Sequence, residues 1–228
     1  MSATMGGWGS AITLPEPIII VPNITEPLTV EEAKAQCRID FDDYSQNLRL
    51  GIYIAAARDY IEWRVGMTIH EKTLEWALNY WPYSGLQNAY GGIPLVLPRA
   101  TPLIDVLSVK YVDSGGTEHT WDPSQYVLDT RTQPGALAPA YGVAYPSFIA
   151  YPSMAIRVQY RAGIEIASPI TDTPNEIKYP MLLLVAAMNE NAEAEFVPSR
   201  TITQTLSLTY GVETYIDRLR SRSGGYAF

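Results

Sequence analysis

The chain has 228 residues, 47% of them hydrophobic, enough to bury a core as one domain or as one domain carrying an insertion. Its 16 basic and 24 acidic residues give a formal net charge of −8, which argues against a nucleic-acid binder that works by neutralising phosphates. A single cysteine, Cys37, excludes an intramolecular disulfide, agrees with a reducing compartment, and reads as a small core residue on a helix.

Residues 1–27 hold Gly, Pro and Ser without a periodic pattern and read as an extended arm, one that a neighbour would order. No basic stretch leads into an apolar run, so no secretory signal is visible. Two apolar runs, IIIV at Ile18–Val21 between Pro17 and Pro22, and MLLLVAAM from Met181, fall far short of the roughly 20 residues that span a bilayer. No membrane partner is expected.

Residues 28–66 form the first part of a helical core. Thr29 and Glu32 stand in the reciprocal spacing that satisfies two free backbone donors at a helix start, with Leu28 and Ala33 as a weak staple. The stretch RIDFDDYSQNLRL then puts Asp40, Asp42 and Asp43 into four positions. A calcium loop would need alternating oxygen ligands, a glycine and a distant glutamate, none of them at the right spacing. Asp43 with Gln46 reads instead as a second helix start, with Asp42 near the positive end of the dipole and Asp40 in the turn.

The second helix, from about Gln46 to Val65, is apolar on two sides. Leu50, Ile54, Ala57, Ile61 and Val65 make one stripe; Leu48, Ile52, Ala55 and Ala56 make another. A helix of this kind lies between other elements or between subunits, so Leu48, Ile52, Leu50, Ile54 and Ile61 are candidate inter-subunit packing residues. Gly66 supplies the stop.

Residues 67–165 read as an inserted antiparallel β-domain. Leu74, Trp76, Leu78 and Tyr80 alternate with polar or small neighbours as a half-buried strand does. LIDVLSVKYV, the DSGG turn at Asp113 and TEHTW read as a hairpin, followed by the strands QYVLD and MAIRVQYRAG. Between these last two lies a long Pro/Gly/Tyr-rich loop whose Tyr141, Tyr145 and Tyr151 could present a sugar- or protein-binding platform or pack on the β core. Helix returns over residues 166–196: Thr173 caps, Pro174 opens, Glu176 completes the box, and Pro180 should kink the first turns or delay the start. Residues 197–228 read as an extended segment with alternating Ile202, Leu206 and Leu208, then a short terminal helix. Its Arg218, Arg220 and Arg222 either complete the helix dipole or dock an acidic partner. The fold class is therefore α+β: two N-terminal helices, one long helix in the C-terminal half and a short terminal helix, with the β-domain inserted.

Chemistry is hard to find. His70 and His119 lie in separate strand–loop regions without the ligands of a zinc site, and no nucleophile elbow, phosphate loop or dinucleotide fingerprint occurs. Scattered carboxylates could always be paired on paper for glycoside hydrolysis, which makes that signal worthless. No cofactor, metal or catalysis is expected.

Five stretches carry a resemblance when taken in order: PLTVEEAKAQCRIDFDDYSQNLRLGIYIAAARDYIEWRVG (Pro27 to Gly66), LPRATPLIDVLSVKYVDSGGTE (Leu97 to Glu118), AIRVQYRAG, IKYPMLLLVAAMNENAEA and YGVETYIDRLR. Together they resemble the head–tail connector (head–tail adaptor) proteins of long-tailed bacteriophages. The resemblance implies a structural adaptor of the virion neck, assembled in the host cytoplasm as a ring, twelvefold to match the portal. Such a ring docks to the portal protein through its C-terminal segment, here Val212, Glu213, Tyr215, Ile216, Leu219 and Arg220. It would offer its far side to a stopper or tail-completion protein and let DNA pass without sequence-specific binding, the acidic balance favouring a negative lumen. Deletion after Tyr210 should then leave the fold intact and abolish portal attachment. Pro180 departs from the family's pattern, and the arm and the tyrosine loop are longer than usual. The competing reading is a carbohydrate- or receptor-binding module built on the aromatic β-domain; a hydrolase has no constellation behind it.

Overall fold

A computed structural model describes residues 16–22, 25–82, 93–149, 153–164, 173–190 and 210–222. Helix α1 (Val30–Cys37) starts as its capping pattern requires. Thr29 Oγ1 accepts from the Glu32 amide at 3.1 Å, and the Glu32 carboxylate accepts from the Thr29 amide at 2.9 Å. Asp43 also caps, but it accepts from the amide of Ser45 and opens a 3-10 turn over Tyr44–Gln46. The Gln46 side-chain amide donates to the Ser45 hydroxyl at 3.3 Å, and α2 (Asn47–Val65) follows directly. Gly66 ends α2 at φ 72°, its amide returning to Glu62 O at 3.0 Å. The Asp43 carboxylate thus serves the α1–α2 turn, where the Asp43 amide also donates to Asp40 O at 3.1 Å.

Helix α3 (Asn175–Glu190) begins before Pro180, which is buried within it, so the proline does not delay the start. Helix α4 (Tyr210–Arg222) closes the described chain; the extended segment expected before it lies outside the described residues. All four helices bury one core: Leu50, Ile54, Ala57, Ile61 and Val65 from α2 meet Ile177, Met181, Leu184 and Val185 from α3 and Val212, Ile216 and Leu219 from α4, with Leu28 and Ala33 beside them. The Lys178 ammonium ties α3 to the Glu32 carboxylate of the α1 cap at 2.7 Å.

Among the described residues the strands form two antiparallel sheets, all but one of them from the insertion. The larger runs in the order β1 (Ile18–Val21), β2 (Lys72–Leu78), β8 (Ile156–Ala162), β4 (Leu103–Val112), β5 (Glu118–Thr120). The smaller is β3 (Leu95–Val96), β7 (Ala136–Pro139), β6 (Tyr126–Asp129). Strand β2 buries Leu74, Trp76 and Leu78 and turns Thr73, Glu75 and Ala77 outward, as its alternation predicts, but it ends at Leu78 and leaves Tyr80, expected to continue the buried side, exposed, while β8 alternates in step with it. Their inner faces share a second core with Leu95, Leu97, Trp121, Tyr126 and Leu137. Part of the N-terminal arm is already ordered within the same chain, since β1 pairs with β2 through Ile18–Glu75 and Ile19–Leu74.

The two cores meet at a waist laced by backbone hydrogen bonds. The Ile164 amide donates to Ile69 O at 2.8 Å, the Glu71 amide to Ile164 O at 3.2 Å, and the Gly163 amide to Pro102 O at 2.9 Å. Gly163 has φ 113°, and a Cβ there would lie 2.4 Å from the His70 carbonyl atoms, so glycine is required on both counts. The Thr68 hydroxyl adds a bond to Arg99 O at 2.9 Å.

Candidate docking surfaces

Helix α2 offers the first candidate surface. Its sequence carries two apolar stripes, which the structure assigns to different places. Leu50, Ile54 and Ile61 are at most 1% exposed and lie inside the chain's own helical core, so they are not available to a neighbouring copy. Leu48 and Ile52 point outward, 80% and 60% exposed. Of the five candidate packing residues, only these two offer surface to another chain. Trp63, 64% exposed, continues their line, and Phe41 and Tyr44 lead into it from the preceding turn. Sequence reasoning missed these three aromatics, although Trp63 stands at helical spacing from Ile52 and could have been found by extending the stripe.

Helix α4 also divides. Val212, Ile216 and Leu219 are buried against α2 and α3. Their burial removes them from any surface a partner could touch while α4 stays seated. The seat is reinforced by polar contacts: the Arg64 guanidinium meets Glu213 at 2.9 Å, and Arg220 donates to Arg64 O at 2.9 Å, placing a cation on a carbonyl of the last turn of α2. Tyr215 packs against Tyr179 of α3, the rings tilted by 56° with their centroids 5.2 Å apart. Thr214, Asp217, Arg218 and Ser221 form the outward face.

The tyrosine loop makes no common platform among the described residues. Tyr141 is 84% exposed, whereas Tyr145 stacks on Trp81 at 5.0 Å and 20° and donates to Ile93 O at 2.7 Å. Burial pushes the Tyr145 phenol well above its ordinary range, so it stays a neutral donor. Tyr151 lies outside the described residues. Trp81, Trp121 and Tyr126, all buried, complete the same inward aromatic cluster.

The outer face of the larger sheet is polar and internally paired. Arg161 holds Asp105 through two bonds at 2.8 and 2.6 Å and reaches Glu71 at 2.9 Å, which raises its affinity for its proton. Glu118 receives both Arg157 and Lys110, and Gln159 donates to Glu75 at 2.7 Å. These cations already have carboxylate partners, so the sheet offers little to a phosphate backbone.

Neither histidine joins a reactive group. His119 pairs with Asp113 at 2.7 Å on an exposed hairpin. His70 is buried, with Nδ1 2.6 Å from Thr25 O and Nε2 3.2 Å from the Thr173 hydroxyl. Desolvation holds it neutral by depressing its pKa, against the opposing pull of the Thr25 carbonyl and Glu62. Its bonds tie the foot of the arm to the start of α3. Among the described residues no group of three His, Cys, Asp or Glu could hold a metal ion, and no helix is long and apolar enough to cross a membrane.

Residues 27–89 match the family described as phage gp6-like head-tail connector proteins. That segment spans α1, α2 and β2 and contains the first of the five stretches that carry the resemblance, Pro27 to Gly66; the other four lie beyond it. The whole fold is similar to chains in three solved assemblies of a gene transfer agent (GTA) particle. In the virion of the native particle the TM-score is 0.61 at 19% identity, over 89% of this chain and 95% of that one. In the neck of the empty particle, computed with C6 symmetry, it is 0.61 at 22% identity, over 90% and 94%. In the neck of the native particle, computed with C12 symmetry, it is 0.57 at 19% identity, over 89% and 95%. At these identities the likeness establishes a shared fold. No curated protein matches the chain significantly in sequence.

Proposed function

From the connector-family match at residues 27–89 and the fold shared with chains of a phage-like neck, we propose that this chain is a structural head–tail adaptor of a virion. Copies form a ring beneath the portal, join the DNA-filled capsid to the tail and continue the DNA channel. The observation that carries this reading is the near-complete overlap with the neck chains, about nine-tenths of both partners, with the helical bundle and the inserted β-domain included together. The C12 symmetry of one such neck supports a ring of twelve. The net charge of −8 and the paired cations of the sheet suit a surface that DNA slides past without adhering. Portal docking is assigned to α4 and the chain around it, with a stopper or tail-completion protein on the far side.

The alternative glycan-binding reading loses Tyr145 from its platform of Tyr141, Tyr145 and Tyr151, because that ring stacks on Trp81 in the interior of the β-domain. Mass photometry of the purified chain, alone and with portal rings added, tests the adaptor reading. An assembly near twelve times 25.3 kDa is expected. A chain that stays monomeric beside the portal and binds glycans overturns it.

A further inference from the structure

Resting on the ring reading, we propose that the ring closes head to tail through the bundle: the outward stripe of α2 in one copy packs on the outward face of α3, around Tyr179, in the next. Leu48, Ile52, Ala56, Asp59 and Trp63 recur at spacings of four, four, three and four residues and so form one line along α2. That line lies opposite Leu50, Ile54, Ala57, Ile61 and Val65, the side that packs inward. With Phe41 and Tyr44 at its foot, the large apolar side chains of this side are each more than half exposed, and large apolar side chains left open together mark an interaction surface. The single charge in the line, Asp59, is held by Arg58 at 2.9 Å, so covering the stripe strands no lone carboxylate.

The ring's symmetry identifies the other half. A cyclic assembly of more than two copies cannot use one patch against itself; it needs two different patches on opposite flanks. In the bundle, α2 and α3 pack through their inward faces, and α1 and α4 each pack against both of them. The flanks left open are the outward faces of α2 and α3, which point away from each other. The α3 flank presents exposed Asn175 and Tyr179 one turn apart, with Tyr179 braced by Tyr215. Tyrosine suits this role because it buries much area at little entropic cost and keeps a polar tip at the rim.

The test uses blocked copies. Leu48→Asp with Ile52→Asp blocks the α2 stripe; Tyr179→Asp blocks the α3 flank, and Asn175→Arg blocks it without touching the Tyr179–Tyr215 contact. Each is first required to melt like the wild type by circular dichroism. By analytical ultracentrifugation over a wide concentration range, the wild type should assemble and each variant alone should sediment as a single chain. An equal mixture of stripe-blocked and flank-blocked chains should form a one-to-one dimer and stop there, because one intact interface remains. Rings from a wild type whose variants also form rings overturn this interface and leave the ring reading intact. Flank variants that assemble while the stripe variant does not also overturn it, since the stripe then meets some other surface. A wild type that is monomeric throughout, with and without portal, overturns both.

Discussion

The Glu62 carboxylate and the Lys72 ammonium meet at 2.6 Å, each side chain 6% exposed, where the last turn of α2 passes into the first residue of β2. The second Glu62 oxygen accepts from the Ile69 amide at 3.0 Å, so one buried carboxylate pins both ends of the linker between bundle and β-domain. Removing one partner strands the other in a dry site. Lys72→Met should lower unfolding stability by about 3–5 kcal/mol. Glu62→Gln added to it should recover part of that loss by removing the stranded charge. Urea denaturation of the two variants checks this; a loss below about 1 kcal/mol for Lys72→Met, the range of solvated pairs, would contradict the burial described.

The same waist makes Gly163 irreplaceable. Gly163→Ala puts a Cβ within 2.4 Å of the His70 carbonyl atoms, at a φ of 113° that side chains rarely adopt. The conformational term alone costs about 1–3 kcal/mol, and the backbone clash adds to it. A drop in melting temperature with loss of amide exchange protection at Ile164 and Glu71 is the expected result. An unchanged melt would mean that the strands at the waist do not approach as described.

His70 should make the waist acid-sensitive. Its folded pKa lies below the ordinary 6.5 because burial disfavours the cation, so between that depressed value and 6.5 the unfolded chain binds more protons than the folded one. Stability is therefore fully present above pH 6.5 and falls as the pH drops below it. The groups facing the ring are Thr25, Thr173, Glu62, Lys72 and Arg58. His70→Gln should flatten the stability profile between pH 6.5 and 5, at some cost in stability at pH 7.5. A slope that persists in the variant would assign the effect to other groups.

Helix α4 changes what truncation is expected to do. A tail that only docks a partner could be removed harmlessly, but α4 closes the bundle core with Val212, Ile216 and Leu219. At about 1.5–3 kcal/mol for each buried side chain, a chain ending at residue 209 should lose on the order of 5 kcal/mol and bind a hydrophobic dye. Equal stability of the short and full chains in urea would show that α4 contributes nothing to the bundle. Docking by the tail is therefore better tested with outward substitutions such as Asp217→Lys and Arg218→Glu, which leave the buried side untouched; these should weaken portal attachment while the melt stays within about 2 °C of wild type, about 0.5 kcal/mol for surface changes.

Much of the architecture was legible residue by residue. The Thr29–Glu32 box, the alternation of Leu74, Trp76 and Leu78, and the hairpin at Asp113 are local signals, and each formed where expected. Strands β1, β3 and β7 escaped notice because they are two to four residues long and owe their form to a partner strand: Ile19 to Leu74, Leu95 to Leu137, Val127 to Ala138. The Asp43 cap was correctly placed but its partner was not, because the chain tightens into a 3-10 turn that periodicity does not report.

By itself the sequence determined that α2 is a helix with two apolar stripes and that a β-rich insertion interrupts a helical core. Those are consequences of short-range spacing, where side chains three, four or two residues apart meet whatever the rest of the chain does. Only the tertiary structure decided that Leu50, Ile54 and Ile61 turn inward while Leu48, Ile52 and Trp63 stay bare, and that α4 seals the bundle. Which side of an apolar helix becomes interior depends on where α3 and α4 arrive from more than a hundred residues away, and helical spacing carries no record of that arrival.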